Sequence, residues 1–371
     1  MREHGKISIQ QITILVIFTT IGDSILFLPS MMTTAAKQDS WLSVLLGIPI
    51  GLFILWLMLR LSRMEARSTL FQMNQKLLGQ FFGGILSVLF LMFFLVLTSG
   101  MLREISDFIT TIILPQTPLY VIHFMMIIVM LFGIKLGLEP LARASEIFFP
   151  WFLLFFFSLV LLLLPQIQLT NMLPILGSGI GPVLHGMLYS VAFPFSELLV
   201  FLVIIPYVNE GTHLQRDLLL GSLFGGMIIF ILVLLSTLVL GPTMTSFHIY
   251  PSYSLAKKIS IGHFLERLEA MLAIIWIFSI FFKTVLYYYA TVLGTAQLFR
   301  LKDYRMLAAP IGFILFGLAF YFSPNYSYLT EITAKYWPFW DYTYIAAIVL
   351  LLLVSYLVKK NKQKAPSAPE S

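Results

Sequence analysis

Apolar residues occupy this chain in long unbroken blocks, without the one-faced or alternating patterns of a soluble domain. Charged residues and Pro/Gly clusters punctuate the blocks. A helix needs about 20 mostly apolar residues to cross a bilayer core of about 30 Å. Reading the blocks at that length predicts ten spans, near 8–35, 41–62, 81–113, 119–138, 144–164, 182–207, 217–241, 266–299, 306–322 and 340–358. With an even number of spans, both termini are expected on one side.

Composition supports the pattern: 59% of the 371 residues are hydrophobic and 11% are charged, against roughly 25% charged in soluble domains. The blocks leave no stretch long enough for a separate soluble domain, so an all-α polytopic membrane protein is expected, in contact with membrane lipids. The absence of cysteine excludes disulfides, thiolate metal sites and cysteine nucleophiles. The N-terminal "MREHGKISIQQ" runs into a span too long for a cleaved signal peptide and is expected to be retained.

A net charge of +6 invites a nucleic-acid reading. The cations, however, lie in short segments between spans, where topology explains them better. Arg2, Lys6, Arg60, Arg63, Arg67, Lys76, Lys135, Arg143, Arg216, Arg300, Lys302, Arg305, Lys359, Lys360, Lys362 and Lys364 collect on one side. The other side holds only Lys37, Lys257, Lys258 and Lys335. The positive-inside rule then puts both termini in the cytoplasm and leaves no case for a nucleic-acid partner.

Pro/Gly-rich, uncharged "PQIQLTNMLPILGSGIGP" separates five spans from five more. The expected organisation is a first five-helix repeat over 8–164, an outer linker over 165–182, a second repeat over 183–358 and a cytoplasmic tail over 359–371. A long outer loop, 241–264, reads either as a hairpin capping an outward vestibule or as an ordinary surface loop. The polar tail suits anionic headgroups or a cytoplasmic partner.

Polar interruptions mark the candidate site. A charge at the centre of a membrane helix costs roughly 2.5 to 3.5 kcal/mol on insertion scales, yet "TTIGDSILFLPS" puts Asp23 inside span 1. Gly22, Asp23 and Ser24 favour unwinding there, and Pro29 is expected to close the span. Span 6 offers a counterpart, "VAFPFSELLVF", in which Pro194 removes a backbone donor three residues before Glu197. Each half thus opens with a broken helix bearing a carboxylate, the pointer to an inverted-repeat transporter fold with its binding site between the breaks. Half-helix N-termini at such breaks suit an anionic group such as a substrate carboxylate.

In span 3, Arg103 and Asp107 stand i, i+4 on one helical face, either as a structural ion pair or as a gating or ligand contact. Thr98 and Ser99, one turn deeper, can line a pocket or let helices approach. Glu266, Arg267 and Glu269 read as interface anchors of span 8. Lys283 lies 17 residues from both Glu266 and Arg300, about 25 Å of helix either way. At that depth it pairs with Asp23 or Glu197 or loses its proton, in a site or coupling role or as a structural ion pair. The six histidines show no metal spacing, and no nucleophile stands beside a base. No catalytic residue, cofactor, metal or enzymatic activity is expected.

"GDSILFLP" in span 1, Arg103 with Asp107, "FSELLVF" around Glu197 and "ERLEAMLAIIW" from Glu266 to Trp276 together resemble the B subunits of bacterial spore germinant receptors. These are endospore germination permeases of the amino acid, polyamine and organocation superfamily. The resemblance covers essentially the whole chain. It implies a leucine-transporter-like five-plus-five fold in the spore inner membrane, with helices 1 and 6 broken. It also implies recognition of a small germinant, often an amino acid, in company with an A subunit and a lipoprotein C subunit. By position, Gly22, Asp23 and Ser24, then Leu97, Thr98 and Ser99, then Phe193, Pro194, Phe195, Glu197 and Leu198, then Lys283 and Tyr287 would line the germinant pocket. Asp23 and Lys283 depart from the pattern for a small neutral amino acid. A proton-coupled secondary transporter of amino acids or polyamines is the alternative.

Overall fold

Ser8 and Gln11 start the first helix by capping each other's backbone N–H groups, at 2.9 and 3.1 Å, which satisfies two donors that a helix N-terminus leaves free. The computed structural model describes residues 5–65, 67–209, 211, 213–259 and 268–364, with only the backbone for 326, 327 and 359–364. Helix α1 spans Ile9–Ile21 and is apolar and buried over nearly its whole length, as befits a helix surrounded by others. It ends at Gly22, whose φ of +23° lies where side chains are strained. Helix α2 then starts afresh at Ser24 and runs to Ala36.

Pro29 does not close this span as expected; it sits inside α2. A proline there leaves the carbonyl four residues back without its donor, and that carbonyl, of Ile25, accepts a 2.6 Å bond from Ser252 Oγ. The helix continues because a residue 227 positions away supplies the missing hydrogen.

Helix α3 (Ser40–Met64) leads to α4 (Leu70–Phe108), which starts eleven residues before the predicted 81. Gly79, at φ +79°, kinks α4 and separates its first turns from the apolar span, so the polar stretch around Gln75 and Lys76 is helical too. A π-helical turn over 109–113 completes it. Helices α5 (Leu119–Leu136) and α6 (Leu138–Leu163) follow. Each buries a single stripe, in α5 Ile122, Ile127, Met130 and Ile134. Their outer faces expose Phe124, Phe132, Ile147, Trp151 and Leu161, a surface stable only against lipid.

The linker is tied down at one end of the bundle. Gln38 Nε2 donates to the Pro174 carbonyl at 2.8 Å, Leu176 N–H to Asp39 Oδ1 at 2.9 Å, and Asn171 Nδ2 to the Leu238 carbonyl at 2.9 Å. Helix α7 (Ile180–Phe195) tightens after Pro194 into a 3-10 stretch, Ser196–Val200, which passes into the short α8 (Phe201–Ile204) and a last 3-10 turn, Ile205–Tyr207. Ile7, just before α1, bridges to this end: its N–H donates to the Tyr207 carbonyl at 3.1 Å, and Asn209 N–H to the Ile7 carbonyl at 2.9 Å.

Helix α9 (Leu214–Leu240) is followed by α10 (Pro242–Phe247) and α11 (Pro251–Ala256). These two short helices pack on α2, with Tyr250 edge-on to Phe108 at 5.1 Å. The loop is thus a structured cap as far as Ile259; its remainder, with the expected anchors Glu266 and Arg267, lies outside the described residues. Helix α12 (Glu269–Leu298) runs through the middle of the bundle against α1, α4 and α6. Helix α13 (Arg305–Tyr321) precedes α14 (Tyr326–Lys364), which starts fourteen residues before the predicted 340. Residues 365–371 of the expected tail also lie outside the described residues.

Among the described residues, eight helical stretches are long and apolar enough to cross a membrane, and Ile9–Ile21 and Arg305–Tyr321 are shorter apolar helices. The protein is an all-helical membrane protein.

Candidate functional site

Gly22 breaks the first helix where the Lys283 side chain of α12 passes. A β-carbon on Gly22 would stand 2.3 Å from Lys283 Cδ, so the break and the lysine's path need each other. Beyond it, Lys283 Nζ meets Asp23 Oδ1 at 2.6 Å and Glu197 Oε2 at 2.5 Å. Lys283 and Glu197 are 0% exposed and Asp23 is 5% exposed. One ammonium therefore joins the break after α1 to the 3-10 stretch after α7. Breaking such a buried pair by removing one partner typically costs about 3 to 5 kcal/mol, because the survivor is left charged and alone.

Glu197 is held from three directions. Trp337 Nε1 of α14 donates to its Oε1 at 3.1 Å, Lys283 faces Oε2, and the Tyr287 hydroxyl donates to its backbone carbonyl. Tyr287 lies one turn beyond Lys283 on α12, so one helix face supplies both groups. Asp23 is less enclosed. Ser24 Oγ approaches its Oδ1 at 3.4 Å, and Ser279 Oγ stands 3.4 Å from the Gly22 carbonyl exposed at the break.

A cavity of about 10 Å³ borders Asp23, lined by Leu97, Gly100, Met101 and Glu104 of α4, Phe193 of α7, and Phe322, Leu329, Thr333 and Trp337. A second of the same size shares Asp23, Glu104, Phe193 and Thr333 and reaches Ser24, Phe27, Leu28 and Met31 of α2. Each holds about one water-sized group. A larger pocket of about 270 Å³, between Gln72 and Gln75 of α4 and Gln297 and Arg300, lies away from these charges.

The structure thus brings together Gly22, Asp23, Ser24, Leu97, Phe193, Glu197, Lys283 and Tyr287. Other expected pocket residues face elsewhere or are engaged within their own helices. Thr98 and Ser99 hydroxyls donate to the carbonyls of Phe94 and Leu95 at 2.6 and 2.8 Å. The Phe195 ring packs where a side chain on Gly51 of α3 would be, and against Gly226 of α9. Pro194 and Leu198 are buried, and Leu198 brings no polar group. Arg103 pairs with Asp107 at 2.8 Å and donates to the Ser323 carbonyl at 2.7 Å, fastening the α13–α14 corner to α4.

Three residues were missed from the sequence. Leu97, Gly100, Met101 and Glu104 are spaced as one helical face, so counting seven on from Leu97 reaches Glu104. Asp341 stood at the edge of the last predicted span. In the structure it lies fifteen residues into α14 and is 0% exposed, with neither carboxylate oxygen hydrogen-bonded. Trp337 lay outside that predicted span altogether. Among the described residues no group of His, Cys, Asp and Glu side chains has metal-binding geometry.

Charged groups gathered at the junction of interrupted helices, inside a lipid-facing bundle, define a permease-like membrane protein. The family model described as "Spore germination protein" matches residues 6–327, and the chain belongs to this spore germination permease family. Spore germination protein KB of Bacillus subtilis (strain 168) is 29% identical over 371 residues, covering 99% of each chain. Spore germination protein YndE of the same organism is 27% identical over 80% of this chain and 82% of its own. Spore germination protein GerLB of Bacillus cereus is 25% identical over 97% of each.

Proposed function

We propose that this chain is the germinant-binding, permease-like subunit of a spore germination receptor. A small molecule would enter between the two helix interruptions and trigger germination by biasing the bundle. The carrying observation is Lys283, whose single ammonium touches a carboxylate from each interruption. A ligand that binds one arrangement of these charges more tightly shifts the equilibrium between arrangements by that difference in affinity.

Counted with α1 and α2 as one broken span, α7 and α8 as another, and α13 as a short one, the long helices would make ten spans in two sets of five. This supports a leucine-transporter-like inverted repeat over 8–164 and 183–358, with termini in the cytoplasm on the positive-inside count. Similarity to spore germination proteins KB and GerLB over 99% and 97% of the chain, with the resemblance to receptor B subunits, supports assembly with an A subunit and a lipoprotein C subunit in the spore inner membrane. The pocket would be built on Gly22, Asp23, Ser24, Leu97, Phe193, Glu197, Lys283 and Tyr287.

The test is a spore lacking this gene, complemented with wild type or with Lys283→Met, and scored by optical-density loss against amino acids, sugars and nucleosides. Wild type restores a response to at least one compound, and Lys283→Met abolishes it. An Asp23→Asn/Glu197→Gln/Lys283→Met triple variant, which leaves no charge stranded, stays in the membrane and is equally unresponsive. A triple variant that germinates normally contradicts the proposal.

A secondary transporter is the second reading, favoured by Oε2 of Glu104 and both carboxylate oxygens of Asp341, which are enclosed without a hydrogen bond and would be candidates to exchange protons. Substrate-dependent proton uptake in proteoliposomes would establish it.

A further inference from the structure

Among the described residues, two carboxylates of the polar centre, Glu104 and Asp341, hold an enclosed oxygen with no hydrogen bond or ion pair, and Glu104 is the one that borders the cavities. Its Oε2 is shut off from solvent and receives no hydrogen bond, and its side chain lines both small cavities beside Asp23. The core cations are committed elsewhere. Lys283 is shared by Asp23 and Glu197, while Arg103, the neighbour of Glu104 in sequence, points to Asp107 and to the carbonyls of Phe320 and Ser323.

The charge count points the same way. One ammonium faces Asp23 and Glu197, and the fully buried, unpartnered Asp341 lies within electrostatic range of all three. The polar centre is therefore short of positive charge before Glu104 is added. A carboxylate oxygen enclosed among other carboxylates takes up a proton or a cation, because a bare charge there is costly. Each cavity holds one water-sized group, which is also the size of a primary ammonium head. Apolar walls, Leu97, Met101, Phe193 and Phe322 on one side and Phe27 and Met31 on the other, suit the short carbon skeleton behind such a head.

Resting on the ligand-site reading above, we infer that Glu104 is the specificity-determining residue of the site. It accepts the ammonium group of a small amine that carries net positive charge. Asp23 and Glu197 do not play this part, since Lys283 occupies them. Among the described residues no free cation lines these cavities to meet a ligand carboxylate, so a cationic amine is favoured over a zwitterionic amino acid. The skeleton of the amine is admitted by displacement of the α13–α14 corner, which supplies Phe322, Leu329, Thr333 and Trp337 to the wall.

The test uses the full-length protein in lipid nanodiscs and calorimetric titration with matched probes. The probes are propylamine, ethanolamine and 1,3-diaminopropane, their hydroxyl counterparts 1-propanol, ethylene glycol and 1,3-propanediol, and L-alanine. At least one amine is expected to bind at least tenfold more tightly than its hydroxyl counterpart and than L-alanine. Glu104→Gln is expected to weaken that amine tenfold or more and to erase the discrimination. The wild-type comparison stands even if the variant does not fold. Amines within twofold of their counterparts, tighter binding of L-alanine, unaltered amine binding by a folded Glu104→Gln, or no binding of any probe each overturns the inference. The ligand-site reading fails separately, through germination by the charge-free triple variant.

Discussion

The two helix interruptions reach the same lysine by different means. After α1 the helix stops: Gly22 takes a positive φ, its carbonyl opens toward Ser279, and Asp23 borders a cavity. After α7 the chain only tightens, and the 3-10 stretch holds Glu197 fully buried under Trp337, Tyr287 and Lys283. One carboxylate stands at an edge and the other is clamped. The difference suits them to distinct parts in the proposed function: Glu197 as the anchor of the lysine, and Asp23 as the partner that a ligand would reach and release.

That contrast can be broken in several ways. The largest effect is expected from Lys283→Met, which strands both carboxylates and should destabilise the full-length protein by about 3 to 5 kcal/mol, read as thermal unfolding in nanodiscs. Neutralising both carboxylates as well should recover most of that loss. Next, Glu197→Gln should cost more than Asp23→Asn, about 2 to 3 kcal/mol against about 1, because Asp23 borders a cavity where water can take over part of its role. The reverse order would dissolve the distinction between anchor and edge. Gly22→Ala forces a β-carbon onto Lys283 Cδ at a strained φ and should cost about 1 to 3 kcal/mol. The equivalent Phe193→Ala should enlarge the cavity and leave the lysine pair in place, as amide exchange around Asp23 would show. A comparably small effect is expected from Ser252→Ala, which removes the donor to the Ile25 carbonyl behind Pro29 and should cost about 1 kcal/mol. Its loss should be confined to α2 and leave the Glu197 side unchanged.

Legibility followed the range of the interaction. Apolar runs located most helices to within a few residues, because bilayer thickness fixes their length. The misplaced starts of α4 and α14 fell where Gln75, Lys76, Glu331 and Lys335 interrupt the apolar run while the backbone remains helical. Gly22, Asp23, Glu197 and Lys283 stood out because each is expensive in its setting. Glu104 did not, since the visible Arg103–Asp107 spacing accounted for the polar character around it. The repair of Pro29 by Ser252 joins residues 227 apart, and no local pattern carries that pairing.

The central claim is that Lys283 energetically couples the two interruptions. A double-mutant cycle with Asp23→Asn and Lys283→Met, read as unfolding free energy of the full-length protein in nanodiscs, tests it most directly. The account predicts a coupling above about 2 kcal/mol, the range of residues sharing one buried network. Additivity to within about 0.5 kcal/mol, as found for independent sites, would contradict it.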